Sequence, residues 1–267
     1  MNDPDLKLLA VILLAVVLGV AAWYYRDDFF PPPQPEPISE TAEPVQPVTD
    51  TGPRHPLPDM NGTSPATGKL VPLPPLDDSD AYFLLEVGNT LGTDIEALLL
   101  RDAVIDRLVT TTDNLTRAHV SEKIRPVRSL ATSFQPSGAG NDAPAYLGSE
   151  NYQRYELLVA SIAAADIDTV VDIYRRFYPL FQKSYERLGY PDAYFNDRVI
   201  EVIDHLLATP QPDGPVMLTR PNVLYEFADP SLESLSSGQK LLIRMGNENA
   251  NTIKQVLRTF RERLASQ

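Results

Sequence analysis

The sequence predicts a mainly α protein, a single helical domain with a small β-hairpin, preceded by one transmembrane helix and a Pro-rich stalk. Three observations predict it. An uncharged apolar run, LLAVILLAVVLGVAAWYY, fills Leu8 to Tyr25. Residues 31 to 76 hold 14 of the chain's 25 prolines. From Ser79 onward apolar residues recur at three-to-four spacing, punctuated by helix start and stop signals. The organisation expected is a short tail over 1–7, a transmembrane helix over 8–25, a disordered stalk over 26–78 and a helical domain over 79–267.

The run of 18 residues is about what a helix needs, at ~1.5 Å per residue, to cross a hydrocarbon core of ~30 Å. Trp23, Tyr24 and Tyr25 end it with rings that favour the headgroup level, and Arg26, Asp27 and Asp28 return the chain to water. Lys7 and the α-amino group lie before the run and Arg26 behind it, a balance that favours an N-terminus inside the cell. The alternative is a cleaved signal peptide, with Val20-Ala21-Ala22 as the small-residue cleavage site. The Pro-rich tract is expected to act as a spacer, reaching roughly 140 Å as polyproline II at ~3.1 Å per residue or roughly 40 Å as a random coil.

Within the domain, Thr93-Asp94-Ile95-Glu96 reads as a capping box, which predicts a helix from about residue 94 to 113. Asp166 or Asp168 caps the next long helix, whose stripe Val170, Tyr174, Phe177, Phe181, Tyr185 and Leu188 is expected to be buried. Pro179 predicts a kink or break within it, and Gly189 with Pro191 its end. The stretch YPDAYFNDRVIEVIDHLLATP follows, over residues 190 to 210. On a helical wheel Phe195, Val199, Ile200, Val202, Ile203, Leu206 and Leu207 share one half, and Asp197, Arg198, Glu201, Asp204 and His205 the other. GPVML and VLYEF, either side of Thr219-Arg220-Pro221-Asn222, predict the hairpin. Asp229-Pro230 restarts helix, and Ser236-Ser237-Gly238-Gln239 is a second capping box. In the last helix Ile253, Val256, Leu257, Phe260 and Leu264 form the inner face.

Charge and composition exclude several classes. The net charge is −13, with no basic stripe across the domain, which argues against nucleic acid as the main partner. The absence of cysteine excludes a thiol nucleophile and thiolate metal sites. No GxSxG, GxxxxGK[ST] or HExxH motif occurs, and Gly138-Ala139-Gly140 lies in SFQPSGAGNDAP, which reads as a flexible linker.

The polar half of the 190–210 helix is where chemistry would sit. Glu201, Asp204 and His205 lie within one turn, as a general acid–base group or two metal ligands would, with His119 the only other histidine of the domain. The same residues serve equally as the wet face of an amphipathic helix, with Arg198 and Glu201 an i, i+3 pair. Ten of 22 aromatic residues fall between Tyr152 and Phe195, at core spacing or as a stacking surface. Lys254, Arg258 and Arg261 form a stripe that complements the helix dipole or meets an acidic partner.

The stretches LPPLDDSDAYF (73 to 83), DNLTR (113 to 117), NYQRY (151 to 155), RLGYPDAYFNDRVIEVIDHLLATP (187 to 210) and GPVMLTRPNVLYEFADPSLESLSSGQKLLIRMGNENA (214 to 250) resemble a proteobacterial family of membrane-anchored proteins, domain of unknown function 3014. The resemblance implies a bacterial envelope setting and carries over no cofactor or catalytic residue. The expectation is a single-pass inner-membrane protein with its N-terminus cytoplasmic and its domain periplasmic, binding another envelope protein, without cofactor or chemistry of its own. The alternative is a periplasmic hydrolase or metal-dependent enzyme using Glu201, Asp204 and His205.

Overall fold

The computed structural model describes residues 52–57, 72–128, 134–138, 144–221 and 224–265. Leu8 to Tyr25 and most of the Pro-rich tract lie outside the described residues. Among the described residues no helix is long and apolar enough to cross a membrane. In chain order, a 3-10 turn at Leu76–Asp78 leads into α1 (Asp80–Leu91), α2 (Thr93–Leu98) and α3 (Val104–Asn114). Then come β1 (Ala145–Tyr146), α4 (Ser149–Ala163), α5 (Ile167–Arg187), α6 (Phe195–Leu207), β2 (Met217–Thr219), β3 (Glu226–Phe227), α7 (Pro230–Glu233), α8 (Ser237–Arg244) and α9 (Asn247–Ala265).

The mainly helical expectation holds, and the helices meet around α5 and α9. The former packs on α1, α3 and α6, the latter on α4, α5, α6 and α8. Asp166 caps α5 by accepting from the Asp168 amide, so Asp166 and not Asp168 is the cap. Val170, Tyr174, Phe177, Phe181 and Tyr185 of the expected stripe are buried, but Leu188 is 38% exposed because it lies beyond the last helical residue, where Gly189 turns the chain away at φ +106°. The helix runs through Pro179 without a break. Pro179 stands on the exposed side of the helix, while Phe177, Leu180 and Phe181 are buried on the other.

The predicted helix over 94–113 is two helices. Gly92, at φ +96°, and not Thr93, is the N-cap of α2, and no side-chain cap bond forms there. The chain then leaves helical geometry at Leu99, whose neighbour Leu100 donates to the Pro126 carbonyl at 2.7 Å and which bridges to Val127. Asp80 supplies the cap that sequence reading missed: its carboxylate accepts from the amides of Ala103 (2.7 Å) and Val104 (3.0 Å), starting α3 from a different helix.

The hairpin exists and has a third strand. Leu218 pairs with Phe227 and Thr219 with Glu226, while Ala145 and Tyr146 pair with Leu218 and Met217, all antiparallel. A strand of two residues offers no alternation to detect, which is why β1 was illegible. The sheet covers a second small core of Leu147, Val216, Leu218, Phe227 and Ile243. Part of the expected flexible linker is tied down beside it: Ser137 bridges to Tyr146, and the Asn151 side chain accepts from the Gln135 amide at 3.2 Å.

The capping box at Ser236 and Gln239 forms in both directions, and Asp229 caps α7 with Pro230 in its first turn. Helix does not continue from α8 into α9. Gly246, at φ +82°, separates them, and a Cβ there would meet the Tyr152 ring at 2.7 Å, so only glycine suits both the backbone and the contact.

Aromatic rings fill the centre. Phe177 is fully buried against Phe83, in an edge-to-face pair at 4.9 Å, and Tyr174 stacks on Phe181 at 5.6 Å. Most of the aromatic group between Tyr152 and Phe195 is therefore packing. Replacing Phe177 by Ala removes the ring from a site with no solvent access and is expected to destabilise the domain by about 3–5 kcal/mol, read as a lower midpoint in urea unfolding.

Candidate functional site

Helix α6 begins at Phe195 and buries Phe195, Val199, Ile200, Val202, Ile203 and Leu206, the face its periodicity predicts. Its polar residues do not form one wet surface. They are drawn to separate partners supplied by other parts of the chain.

Asp197 is buried, 8% exposed, and its two oxygens accept from the backbone amides of Arg54 (2.9 Å) and His55 (2.8 Å). Its position on the outer half of the wheel is correct, and the outer half is covered there by residues far away in sequence. Arg198 turns the other way. Its Nε donates to Asp113 Oδ1 at 2.9 Å, and its Nη2 to the Asp113 carbonyl at 2.6 Å and Thr116 Oγ1 at 2.8 Å. The expected pair with Glu201 is present at 2.9 Å, with Glu201 exposed.

Asp204 accepts from Arg261 of α9 in a bidentate pair along one edge of the guanidinium, Nε at 2.5 Å and Nη2 at 2.9 Å. That bond raises the pKa of Arg261 further above its already high range. His205 Nε2 lies 2.8 Å from Ser236 Oγ, the cap of α8. Burial lowers the imidazole pKa, with the charge of Arg198 acting in the same direction and Glu201 opposing. The three residues of the enzymatic reading thus have different neighbours: Arg198, Arg261 and Ser236. Among the described residues no group of three or more His, Asp or Glu side chains is placed to hold a metal ion.

The cationic stripe of the last helix is also divided. Lys254 is buried and donates to the Thr209 carbonyl at 2.5 Å, its pKa lowered by burial and then by Arg258. Arg261 is paired as described, and Arg258 stays exposed.

Sequence reading missed Asp113, the partner of Arg198. Asp113 is 4% exposed and also meets Arg117 Nη2 at 3.2 Å and the Tyr190 hydroxyl at 3.4 Å. The signal available was the DNLTR stretch, singled out without a role. A cleft was missed as well. It has a volume of about 480 Å³ and opens between the start of α4, the loop before β2 and the start of α9, with Tyr152, Gln153, Glu156, Asn247 and Glu248 in its wall. Asn249 shapes it by donating to the carbonyls of Tyr152 (3.0 Å) and Met245 (2.9 Å), and Asn247 by donating to that of Pro212 (3.0 Å). The Tyr152 hydroxyl donates to the Leu147 carbonyl at 3.0 Å, and burial raises its pKa.

The profile of the family described as Protein of unknown function (DUF3014) matches residues 104–261, and the chain belongs to that family. The match spans α3 to α9 and so includes Asp113, all of α6 and the cleft. No curated protein and no solved structure matches the chain.

Two outcomes follow from this geometry. Removing Asp113 as Ala leaves Arg198 Nε without its partner while Glu201, Thr116 and the residue-113 carbonyl still hold the guanidinium, and is expected to cost about 1–3 kcal/mol in chemical unfolding. The double replacement of Asp113 and Arg198 by Ala and Met should then be less harmful than the sum of the single ones. For His205 the folded pKa lies below the ordinary 6.5. The unfolded chain therefore binds the proton more readily, and stability from this residue is present above that value and lost as pH falls below it. The stability advantage of the natural chain over His205→Gln should shrink as denaturation is repeated from pH 7 down to about 5.

Proposed function

Starting from that membership, we propose that the chain is a single-pass, membrane-anchored binding protein of the bacterial envelope. Leu8 to Tyr25 holds it in the inner membrane with its N-terminus in the cytoplasm. The Pro-rich tract spaces the helical domain from the bilayer, and the domain binds another envelope protein in the periplasm. The observation that carries this reading is the order of parts in one chain: an apolar run of membrane length, 14 prolines in residues 31 to 76, then a folded domain.

Binding is favoured over chemistry by what the ionisable side chains of α6 do. Asp197, Arg198, Asp204 and His205 are each engaged in a bond that joins two segments of the fold. A general base needs a proton-bearing substrate within about 3 Å and a pKa near neutrality, whereas His205 is turned toward the cap of α8. The cleft between α4 and α9 is the face best suited to a protein partner. Its wall mixes aromatic, amide and carboxylate groups, and its volume of about 480 Å³ admits several side chains from a docking loop.

The full chain should remain with the membrane fraction through alkaline carbonate washing and require detergent for release, and a periplasm-dependent reporter fused after residue 267 should be active. A photo-crosslinking residue at Gln153 should capture an envelope protein in intact cells, whereas one at Glu262 should not. Release of the chain on cell breakage without detergent, or a reporter active only in the cytoplasm, overturns the reading.

A further inference from the structure

A short piece of the Pro-rich tract, Gly52 to Leu57, lies across the start of α6. Two adjacent side chains hold three backbone groups of it. Asp197 accepts from the amides of Arg54 and His55, and Asn196 Nδ2 donates to the His55 carbonyl at 2.8 Å. Burial along the piece alternates: Pro53, His55 and Leu57 are half-buried, while Gly52, Arg54 and Pro56 are exposed. The backbone bends at Arg54 and His55, and Gly52 stands at φ +41°, so the piece lies on the surface as a turn whose two successive amides face the same carboxylate. Leu57 packs against the main hydrophobic core.

The groups that receive the piece are built into the domain. Asn196 is 1% exposed, and its Oδ1 accepts from the buried Tyr174 hydroxyl at 3.1 Å, which leaves its amide nitrogen facing the His55 carbonyl. Asp197 stands in the first turn of α6 but caps nothing there, since the N-cap Tyr194 makes no side-chain bond and both Asp197 oxygens go to the amides of Arg54 and His55. Burial and the Asp197 charge hold the nearby Tyr174 and Tyr178 phenols neutral, the latter pushed up to about 12. With the segment lifted, water takes over these hydrogen bonds, so each docked bond contributes a net of only about 0.5–1.5 kcal/mol.

We propose that Asn196 and Asp197 form a recognition site for a bent, proline-flanked peptide, occupied in cis by residues 52–57 of the same chain. The site reads backbone groups, so it tolerates change at the exposed positions Arg54 and Pro56. The Arg54 guanidinium adds a long-range contact, its Nε 3.8 Å from Asp197 with the side chain 69% exposed, worth little through water. Pro53 and Pro56 fix their own φ angles, which lowers the ordering entropy lost on docking. Tethering supplies the peptide at an effective concentration in the millimolar range, so a free peptide competes poorly until the cis segment is displaced. The site stands apart from the cleft and does not depend on the compartment in which the domain resides.

Hydrogen exchange on the full-length chain in detergent tests this. The amides of Arg54 and His55 should be protected in the natural protein, and Asp197→Ala should speed their exchange by about tenfold or more while the buried amides of α5 keep their rates. Leu57→Ser alters only the docked segment and leaves every domain residue in place, so it separates loss of docking from loss of folding. It too should release the two amides, and a labelled synthetic peptide of residues 50–58 should bind the Leu57→Ser chain but not the natural one. The proposal fails if the two amides exchange freely in the natural chain, if Asp197→Ala or Leu57→Ser leaves them protected, or if the peptide binds both chains alike. It fails also if protection rises with protein concentration, since that is the mark of a segment exchanged between two copies.

Discussion

A buried carboxylate holds the domain together at the point where three helices meet. Asp113, at the end of α3, is joined by Arg198 of α6, and the same short stretch takes α8 as well: Ser237 donates to the Arg117 carbonyl at 2.8 Å and Gly238 to that of Leu115 at 3.0 Å. The last turn of a helix leaves carbonyls without partners, and here they are satisfied by the start of another helix rather than by water. That docking demands a glycine. A Cβ on Gly238 would meet Leu206 at 2.6 Å and the Leu115 carbonyl at 3.1 Å. Taking Asp113 and Arg198 out of water is expensive, and several hydrogen bonds to each partner are what make such a burial tolerable. The guanidinium makes four bonds across Asp113, Thr116 and Glu201. The arrangement fixes the rotation of α6 about its axis, and with it the direction in which Asn196, Asp197, Asp204 and His205 point.

Features written in a few consecutive residues were legible in the sequence. The box at Ser236 and Gln239, the Asp229-Pro230 helix start and the stop at Gly189 each need only neighbours within one turn, so residue type and spacing decide them. The apolar faces of α5 and α6 were legible for a related reason: burial of large side chains dominates the energy, and a period of 3.6 reports it directly. The failures lie where a distant residue overrules local preference. Thr93 looks like a cap, but the turn at Gly92 starts the helix earlier, and Asp80 starts the following one. Asp197 looks solvated on a wheel because a wheel knows nothing of a residue 142 positions away.

The same limit explains the candidate site. Glu201, Asp204 and His205 are close in sequence because they share a helix, and a shared helix does not give them a shared purpose. Their partners come from Arg198, from Arg261 57 positions onward and from Ser236 31 positions onward. Polar residues on an amphipathic helix are recruited by whatever packs beside it. In this domain the neighbours are the C-terminal helix, the cap of α8 and a strip of the Pro-rich tract. Chemistry would require those groups to converge on one space, and the packing around α6 sends them apart.

The Pro-rich tract was legible only as composition. A segment with few apolar residues cannot bury enough surface to fold alone, yet it can still lie on a preformed surface if its backbone groups find partners there. Residues 52–57 meet that condition because two domain side chains offer a donor and two acceptors to a bend that turns two successive amides the same way. Periodicity analysis weighs side chains, and this contact is made almost wholly by main-chain atoms, so no pattern of residue types could have announced it. Leu57 contributes the one sizeable apolar side chain among these six residues. The affinity of the contact therefore depends on tethering and on the proline-restricted backbone more than on buried area, which makes it the kind of contact that a change in tether geometry can open while the helical domain stays folded.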